Sequence, residues 1–240
     1  MIGCSDMGTG CDTILAQMAA DGLGCDMDNI IVRGVDTDQS PYDSGSYASS
    51  TTYVTGGAVV KACESMRKRI CEEAAAIMGL KSGEVDFDGE TISENDNPEH
   101  SMTLSDLITS LEAGNGRIIE VTESHTSPVS PPPFMAGAAE IEVDLETGKI
   151  TPINYVAAVD CGTVINTNLA RIQTEGGIVQ GMGMTLYEDV QYTEAGKMKN
   201  RNFMSYKIPT RLDMGSISVE FESSYEQTGP YGAKIGRAHV

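Results

Sequence analysis

Positive charge is scarce in this sequence. Lys and Arg number 16 against 35 Asp and Glu, which leaves a net charge of −19 and a pI near 4.3. That balance argues against nucleic acid and against an anionic membrane surface, both of which are bound through Lys and Arg. An anionic ligand would have to be held by backbone N–H groups and hydroxyls. Long apolar runs are also missing, so no segment reaches membrane-spanning length. The opening MIGCSDMGTGCDT has neither the basic start nor the apolar core of a signal peptide, and cytoplasm is the expected location. Six cysteines, at 4, 11, 25, 63, 71 and 161, contain no C-x-x-C pair, which disfavours a zinc ribbon or a self-contained iron–sulfur site. Buried or free thiols in a reducing compartment are expected. Of three histidines, His100 and His125 fall in polar loops and His239 lies beside the C-terminal end, so a Ser/His/Asp triad or a zinc site finds no support. G-x-S-x-G, a Gly-Lys-Ser/Thr P-loop and G-x-G-x-x-G are all absent.

What is present suits a packed core: 40% of residues are hydrophobic and 21% charged, and 240 residues make one large domain or two small ones. A glycine- and aspartate-rich turn at 3–10 precedes a helical pattern, with Leu15, Met18, Ala19 and Leu23 on one face, Asp12 or Thr13 as cap and Gly24 as stop. Asn29–Val35 reads as a strand, and 36–48 as a loop. A long helix is expected over Ser49–Met78, ended by Gly79. Asp88-Gly89 suggests a small hairpin between Glu84–Phe87 and Glu90–Ile92. A short helix at Leu104–Leu111 and a strand at Ile118–Val121 follow. The proline-rich SHTSPVSPPPF, 124–134, reads as an extended connector within one domain. Ala136–Val143 and Ile150–Val159 flank a DLETGK turn as a second hairpin. Residues 166–184 read as a glycine-bearing helix, and Leu186–Tyr192 and Ile217–Phe221 as strands. Helices and strands do not alternate regularly, so the expected class is α+β.

Three stretches invite a ligand. DTDQSPYDSGSY, 36–47, is not a calcium loop, although Asp36 and Asp38 suit its first positions: Pro41 stands at the turn glycine and Tyr47 at the closing glutamate. The same region carries Ser46, Ser49, Ser50, Thr51 and Thr52 at a helix start, where free N–H groups and the positive dipole end attract anions. Simple N-capping needs only one such hydroxyl. DMGTG, 6–10, is a second glycine turn opening onto a helix, and most such turns are only turns. IQTEGGIVQGMG, 172–183, puts four glycines in one helix at about 1 kcal/mol each relative to alanine. Close contact with a ligand, or tight packing against another backbone, would explain them. Gln173 and Gln180 could read the edge of a heterocycle.

In order, DMGTGCDTILAQMAADGLG, DTDQSPYDSGSYASSTTYVTGGAVVKA, VDCGTVINTNLARIQTEGGIVQGMGMTLYE, YKIPTRLDM and GPYGAK resemble the molybdenum-binding subunit of the xanthine dehydrogenase and aldehyde oxidase family. The resemblance runs to Lys234. It implies the second molybdopterin-binding domain of a molybdenum hydroxylase, with mixed strands and long helices. It also implies that Gly8, Thr9 and Gly10 approach the pterin, Thr9 standing where many members have glutamine. Ser46, Tyr47, Ala48, Ser49 and Thr51 would hold the pterin and its phosphate. The backbone of Ala48 would lie near molybdenum without ligating it, and Gln173 would reach the pterin.

The resemblance further implies a complete enzyme that hydroxylates a purine or related N-heterocycle with oxygen from water. An aldehyde oxidoreductase of the same family, a non-catalytic molybdopterin-binding scaffold, and a nucleotide-binding module stand as alternatives. The cofactor would be molybdopterin with molybdenum, in its cytosine dinucleotide form. The 2Fe-2S centres and FAD would sit on partner subunits or on domains outside this sequence. The family's catalytic glutamate follows the GPYGAK stretch, where this chain has Arg237. The expectation is therefore that 1–234 is a partial domain whose natural chain extends at both ends, that IGRAHV, 235–240, is the translation of a sequencing adapter, and that this piece alone is inactive.

Overall fold

Ile14, Leu15 and Met18 bury one stripe of helix α1 (Cys11–Leu23). In the computed structural model, which describes residues 1–236, its cap is Gly10 in the left-handed region, φ 85°, and not Asp12 or Thr13. Asp12 instead falls in the first turn, where its charge faces the positive end of the helix. Gly24, also left-handed, returns its N–H to Ala20 and Asp21. The long helix expected from Ser49 begins later. Thr51–Thr55 forms one wide turn with π-type bonding, and α2 runs Gly56–Met78. Gly56 admits the Met18 thioether, since a Cβ there would lie 2.8 Å from the sulfur. Cys63 donates to the Ala19 carbonyl, so the two helices pack closely.

Strands β1 (Val85–Phe87), β2 (Thr91–Glu94) and β3 (Asn97–Thr103) form an antiparallel sheet in chain order. Val85, Phe87 and Ile92 pack with Ile70 and Ala74 of α2 and with Leu107 and Leu111 of α3 (Leu104–Asn115). Thr103 caps α3 through a reciprocal bond pattern with Asp106. Arg67 ties these parts together: it donates to the carbonyls of Leu23 and Phe87 and stacks 5.5 Å from the Phe87 ring.

Strand β4 (Phe134–Val143) pairs antiparallel with β5 (Ile150–Asp160), across the expected turn at 144–149. β5 pairs in parallel with β6 (Ser216–Glu222). Helix α4 (Thr167–Leu186), capped by Asn166, covers one face through Ile178 against Ala157 and Val159. The end of β5 is locked to the GPYGAK stretch. Lys234 Nζ lies 2.7 Å from Asp160 Oδ2, Ser224 donates to Oδ1 at 2.6 Å, and Gly162 bridges Ala233. The Lys234 ammonium also sits 5.4 Å from the Phe134 ring centroid.

The chain divides into two compact units. One is Met1–Ser130 with Gln227–Pro230, and the other is Pro131–Glu226 with the chain from Tyr231 onward. The proline-rich stretch, expected as a connector within one domain, thus carries a junction. Three expected strands do not form. Residues 29–35 begin in a short 3-10 turn and then run without a ladder partner, with Ile31 79% and Val35 70% exposed. Neither 118–121 nor 186–192 joins a sheet, apart from an isolated bridge between Tyr192 and Met198. A short apolar run becomes a strand only when a neighbour supplies its hydrogen bonds. Arg237 and the rest of 237–240 lie outside the described residues.

Candidate functional site

The glycine turn and the serine loop come together in the first unit. A Cβ on Gly3 would meet the Pro41 carbonyl oxygen at 2.4 Å and the Asp43 side chain at 2.6 Å, so only glycine lets the N-terminal segment lie on the loop. Ser46 Oγ donates to the Ser5 carbonyl at 3.3 Å, and Thr55 donates to Asp43 at 3.2 Å. The segment that carries Gly8, Thr9 and Gly10 and the one that carries Ser46, Tyr47, Ala48, Ser49 and Thr51 thus meet at Ser5 and Ser46. Gln173 belongs to the second unit and is described with α4 below.

The amides of the glycine turn are already engaged. Asp6 Oδ1 accepts from the N–H groups of Gly8 at 2.8 Å, Thr9 at 2.9 Å and Gly10 at 3.2 Å, and Oδ2 accepts from Asp12 at 3.4 Å. Gly8 and Gly10 make this possible with φ of 99° and 85°. Burial pushes the Asp6 carboxyl up, but the four amide bonds outweigh it and hold the group below its ordinary value. Thr9 Oγ1 is buried and has no hydrogen-bond partner. Beneath the turn lie the buried thiols of Cys4 and Cys11. A hydrogen bond from Cys11 pulls the Cys4 thiol down and pushes the Cys11 thiol up.

In the serine loop, capping is not what the hydroxyls do. Ser50 Oγ donates to the Tyr47 carbonyl at 2.8 Å, and neither Ser50 nor Thr55 makes a side-chain cap. Ala48 and Ser49 are consecutive left-handed residues, φ 52° and 57°, neither of them glycine. Such residues each cost on the order of 1 kcal/mol and gather at functional sites. The π-type turn at Thr51–Thr55 starts immediately after, with Thr51, Thr52 and Tyr53 buried. Tyr53 donates to Thr228 at 2.6 Å and accepts from Ser127 at 3.2 Å.

Two residues of this neighbourhood carry more than their sequence context suggests. Asp6 is signalled only by its spacing from Gly8 and Gly10. His125, which reads as a loop residue, packs its ring on Gly57, where a Cβ would lie 2.6 Å away. Both ring nitrogens are buried without hydrogen-bond partners, and burial and then Lys61 push its pKa down.

In the second unit, Gln173, Thr174, Gly177 and Gly181 of α4 line a groove of about 660 Å³ against Phe134, Met135, Ile141 and Ile150. Three of the four helix glycines separate into kinds. A Cβ on Gly183 would lie 3.0 Å from the Pro209 ring, whereas Gly176 and Gly181 face open space. Packing thus accounts for Gly183 alone among these three.

Comparisons with known proteins give the family. A molybdopterin cofactor-binding domain model matches residues 1–215. The "Probable hypoxanthine oxidase" of Escherichia coli strain K12 is 31% identical over 237 residues, covering 97% of this chain and 24% of that protein. The carbon monoxide dehydrogenase large chain of Afipia carboxidovorans is 26% identical over 241 residues, covering 97% and 29%. Quinoline 2-oxidoreductase from Pseudomonas putida 86 superposes with a TM-score of 0.81 at 26% identity, covering 98% of this chain and 31% of that one. The chain therefore spans about a quarter to a third of these relatives. It belongs to the molybdopterin cofactor-binding domain family, among the large chains of the molybdenum hydroxylases.

Proposed function

We propose that this chain holds molybdopterin between its glycine turn and its serine loop, as part of an enzyme that hydroxylates a purine or related N-heterocycle. The observation that carries the reading is the Ala48–Ser49 pair, two strained non-glycine residues beside the turn with the unpartnered Thr9 hydroxyl. A ligand contact would offset both costs. On this reading Gly8, Thr9 and Gly10 line one side of the cofactor, and Ser46, Tyr47, Ala48, Ser49 and Thr51 the other, with the Ala48 backbone nearest molybdenum. Gln173 would offer its amide to the pterin edge.

When bound, the cofactor supplies transfer of an oxygen atom derived from water and accepts two electrons. This chain's part is to bind and orient it. Hydroxyls and peptide groups do so without adding basic charge to a chain of −19. The heterocycle reading is supported by the hypoxanthine and quinoline relatives, while carbon monoxide, an aldehyde, or a purely cofactor-binding role would be other outcomes of the test. The reading carries with it the cytosine dinucleotide form, 2Fe-2S and flavin partners, and a cytoplasmic location. The six free thiols support the last of these. Among the described residues no helix is long and apolar enough to cross a membrane.

The test is to express the chain within its full reading frame with its neighbouring genes, then measure molybdenum and pterin content and reduction by hypoxanthine, quinoline, benzaldehyde and carbon monoxide. Molybdenum with reduction by a heterocycle is expected. Absence of pterin from a soluble, folded preparation would remove the reading. Reduction by benzaldehyde or carbon monoxide alone would keep the cofactor and replace the substrate.

A further inference from the structure

The cofactor reading leaves open how the glycine turn meets a ligand. Turns of this kind commonly take an anion on their converging amides. Here the amides of Gly8, Thr9, Gly10 and Asp12 all donate to one internal carboxylate, Asp6. The Asp12 carboxylate also places an oxygen within 4.8 Å of that of Asp6, so an incoming anion would meet a second negative charge. We infer that Asp6 is a positioning residue: its carboxylate stands in for an anion, sets the shape of the turn and closes its amides to phosphate or any other anionic group. Thr9 Oγ1, buried and without a partner, is the side-chain atom of the turn left to hydrogen-bond a ligand that displaces what covers it. The turn accordingly selects a neutral hydrogen-bonding edge and leaves the anionic end of the ligand to the serine loop.

This rests on the molybdopterin reading for the identity of the ligand, but not for the state of the amides. Ser46 connects the two parts, because its hydroxyl donates to the carbonyl of Ser5, the residue before Asp6. Loss of the Asp6 carboxylate would release four amides and free the chain at the point where the serine loop is tethered. Asn at position 6 keeps an oxygen that can accept the same three bonds made by Oδ1, and surrenders only the long bond from Asp12.

The experiment pairs two measurements on the wild type, Asp6→Asn and Asp6→Ala. The first is molybdenum and pterin per chain in the assembled enzyme. The second follows the Gly8 and Gly10 amide resonances of the full chain as inorganic phosphate is added. Wild type is expected to show no phosphate-dependent shift. Asp6→Ala is expected to lose cofactor retention roughly ten- to a hundredfold, the usual cost of losing a supporting hydrogen-bond partner, and Asp6→Asn to restore most of it. Wild-type amides that shift with phosphate would overturn the inference, as would wild-type retention in Asp6→Ala. Should Asp6→Ala fail to fold, the wild-type titration and the Asp6→Asn retention still decide. If the wild type carries no pterin at all, the cofactor reading fails, while the phosphate titration still judges the role of Asp6.

Discussion

At the scale of single residues, the serine loop holds strain that a folded chain does not need for its own sake. Ala48 and Ser49 sit at φ 52° and 57°, where a Cβ crowds the following carbonyl. Ala48→Gly should therefore raise the stability of the cofactor-free chain by about 1 kcal/mol, read as a higher urea midpoint at an unchanged slope. A lower midpoint would mean that the backbone is not strained there. None of this is legible from SYASS as letters. Alanine and serine carry no signal for the left-handed region, unlike the glycines at 8, 10 and 45, where a turn is expected and a positive φ is found. The Asp6 contacts were half visible, because an aspartate two and four residues before glycines is a natural turn acceptor. Its grip on a fourth amide depends on the first turn of α1 and has no local signature.

At the scale of elements, α4 offers the sharpest contrast. Gly176 faces open space, so Gly176→Ala should gain up to about 1 kcal/mol from helix propensity. Gly183→Ala should instead destabilise, because the new methyl meets the Pro209 ring at 3.0 Å. Thermal melts of the two variants, moving in opposite directions, check the assignment; equal shifts would show that packing does not distinguish them. Helices were the readable elements, since α1, α2 and α3 each carry an apolar stripe, and the β4–β5 hairpin was readable from its alternation and DLETGK turn. β3 was not: NPEHSMT is polar, contains proline and is mostly exposed, as suits an outer strand. The expected strands at 29–35, 118–121 and 186–192 failed for the opposite reason, apolar residues whose pairing builds no ladder: Arg33 accepts a single bond from the Ile2 amide, and Tyr192 makes one isolated bridge to Met198.

At the scale of the whole molecule, acidity governs behaviour in solution. Asp160 is held down at about 2, first by the hydrogen bond from Lys234 and then by that from Ser224, against an ordinary value of 3.8. A depressed carboxyl contributes stability that is fully present above the unfolded value and is lost as pH falls through the folded one. The contribution here is about 1 to 2 kcal/mol once solvent screening is allowed for, present at neutral pH and fading between about pH 4 and pH 2. Asp160→Asn should lower stability at pH 7 by that amount and flatten this part of the acid profile. An unchanged loss below pH 4 in the variant would show that other carboxylates carry it. The family could be read from its ordered motifs, although each is soft alone. The division into two units could not, because continuing strand patterns on the far side of the proline-rich stretch hid the junction.

The chain crosses between its units three times, since Gln227–Pro230 returns to the first unit after nearly a hundred residues in the second. No single scissile bond separates the two. A protease nick at Ser130 would give two bands on a denaturing gel, yet the first unit would keep a strip of the other fragment, held in part by Thr228 on Tyr53. An expression boundary drawn at 130 would remove that strip and leave the Tyr53 hydroxyl without its Thr228 acceptor. Any shortened version meant to represent the first unit has to carry residues 227–230 as well, by a linker or a circular permutation.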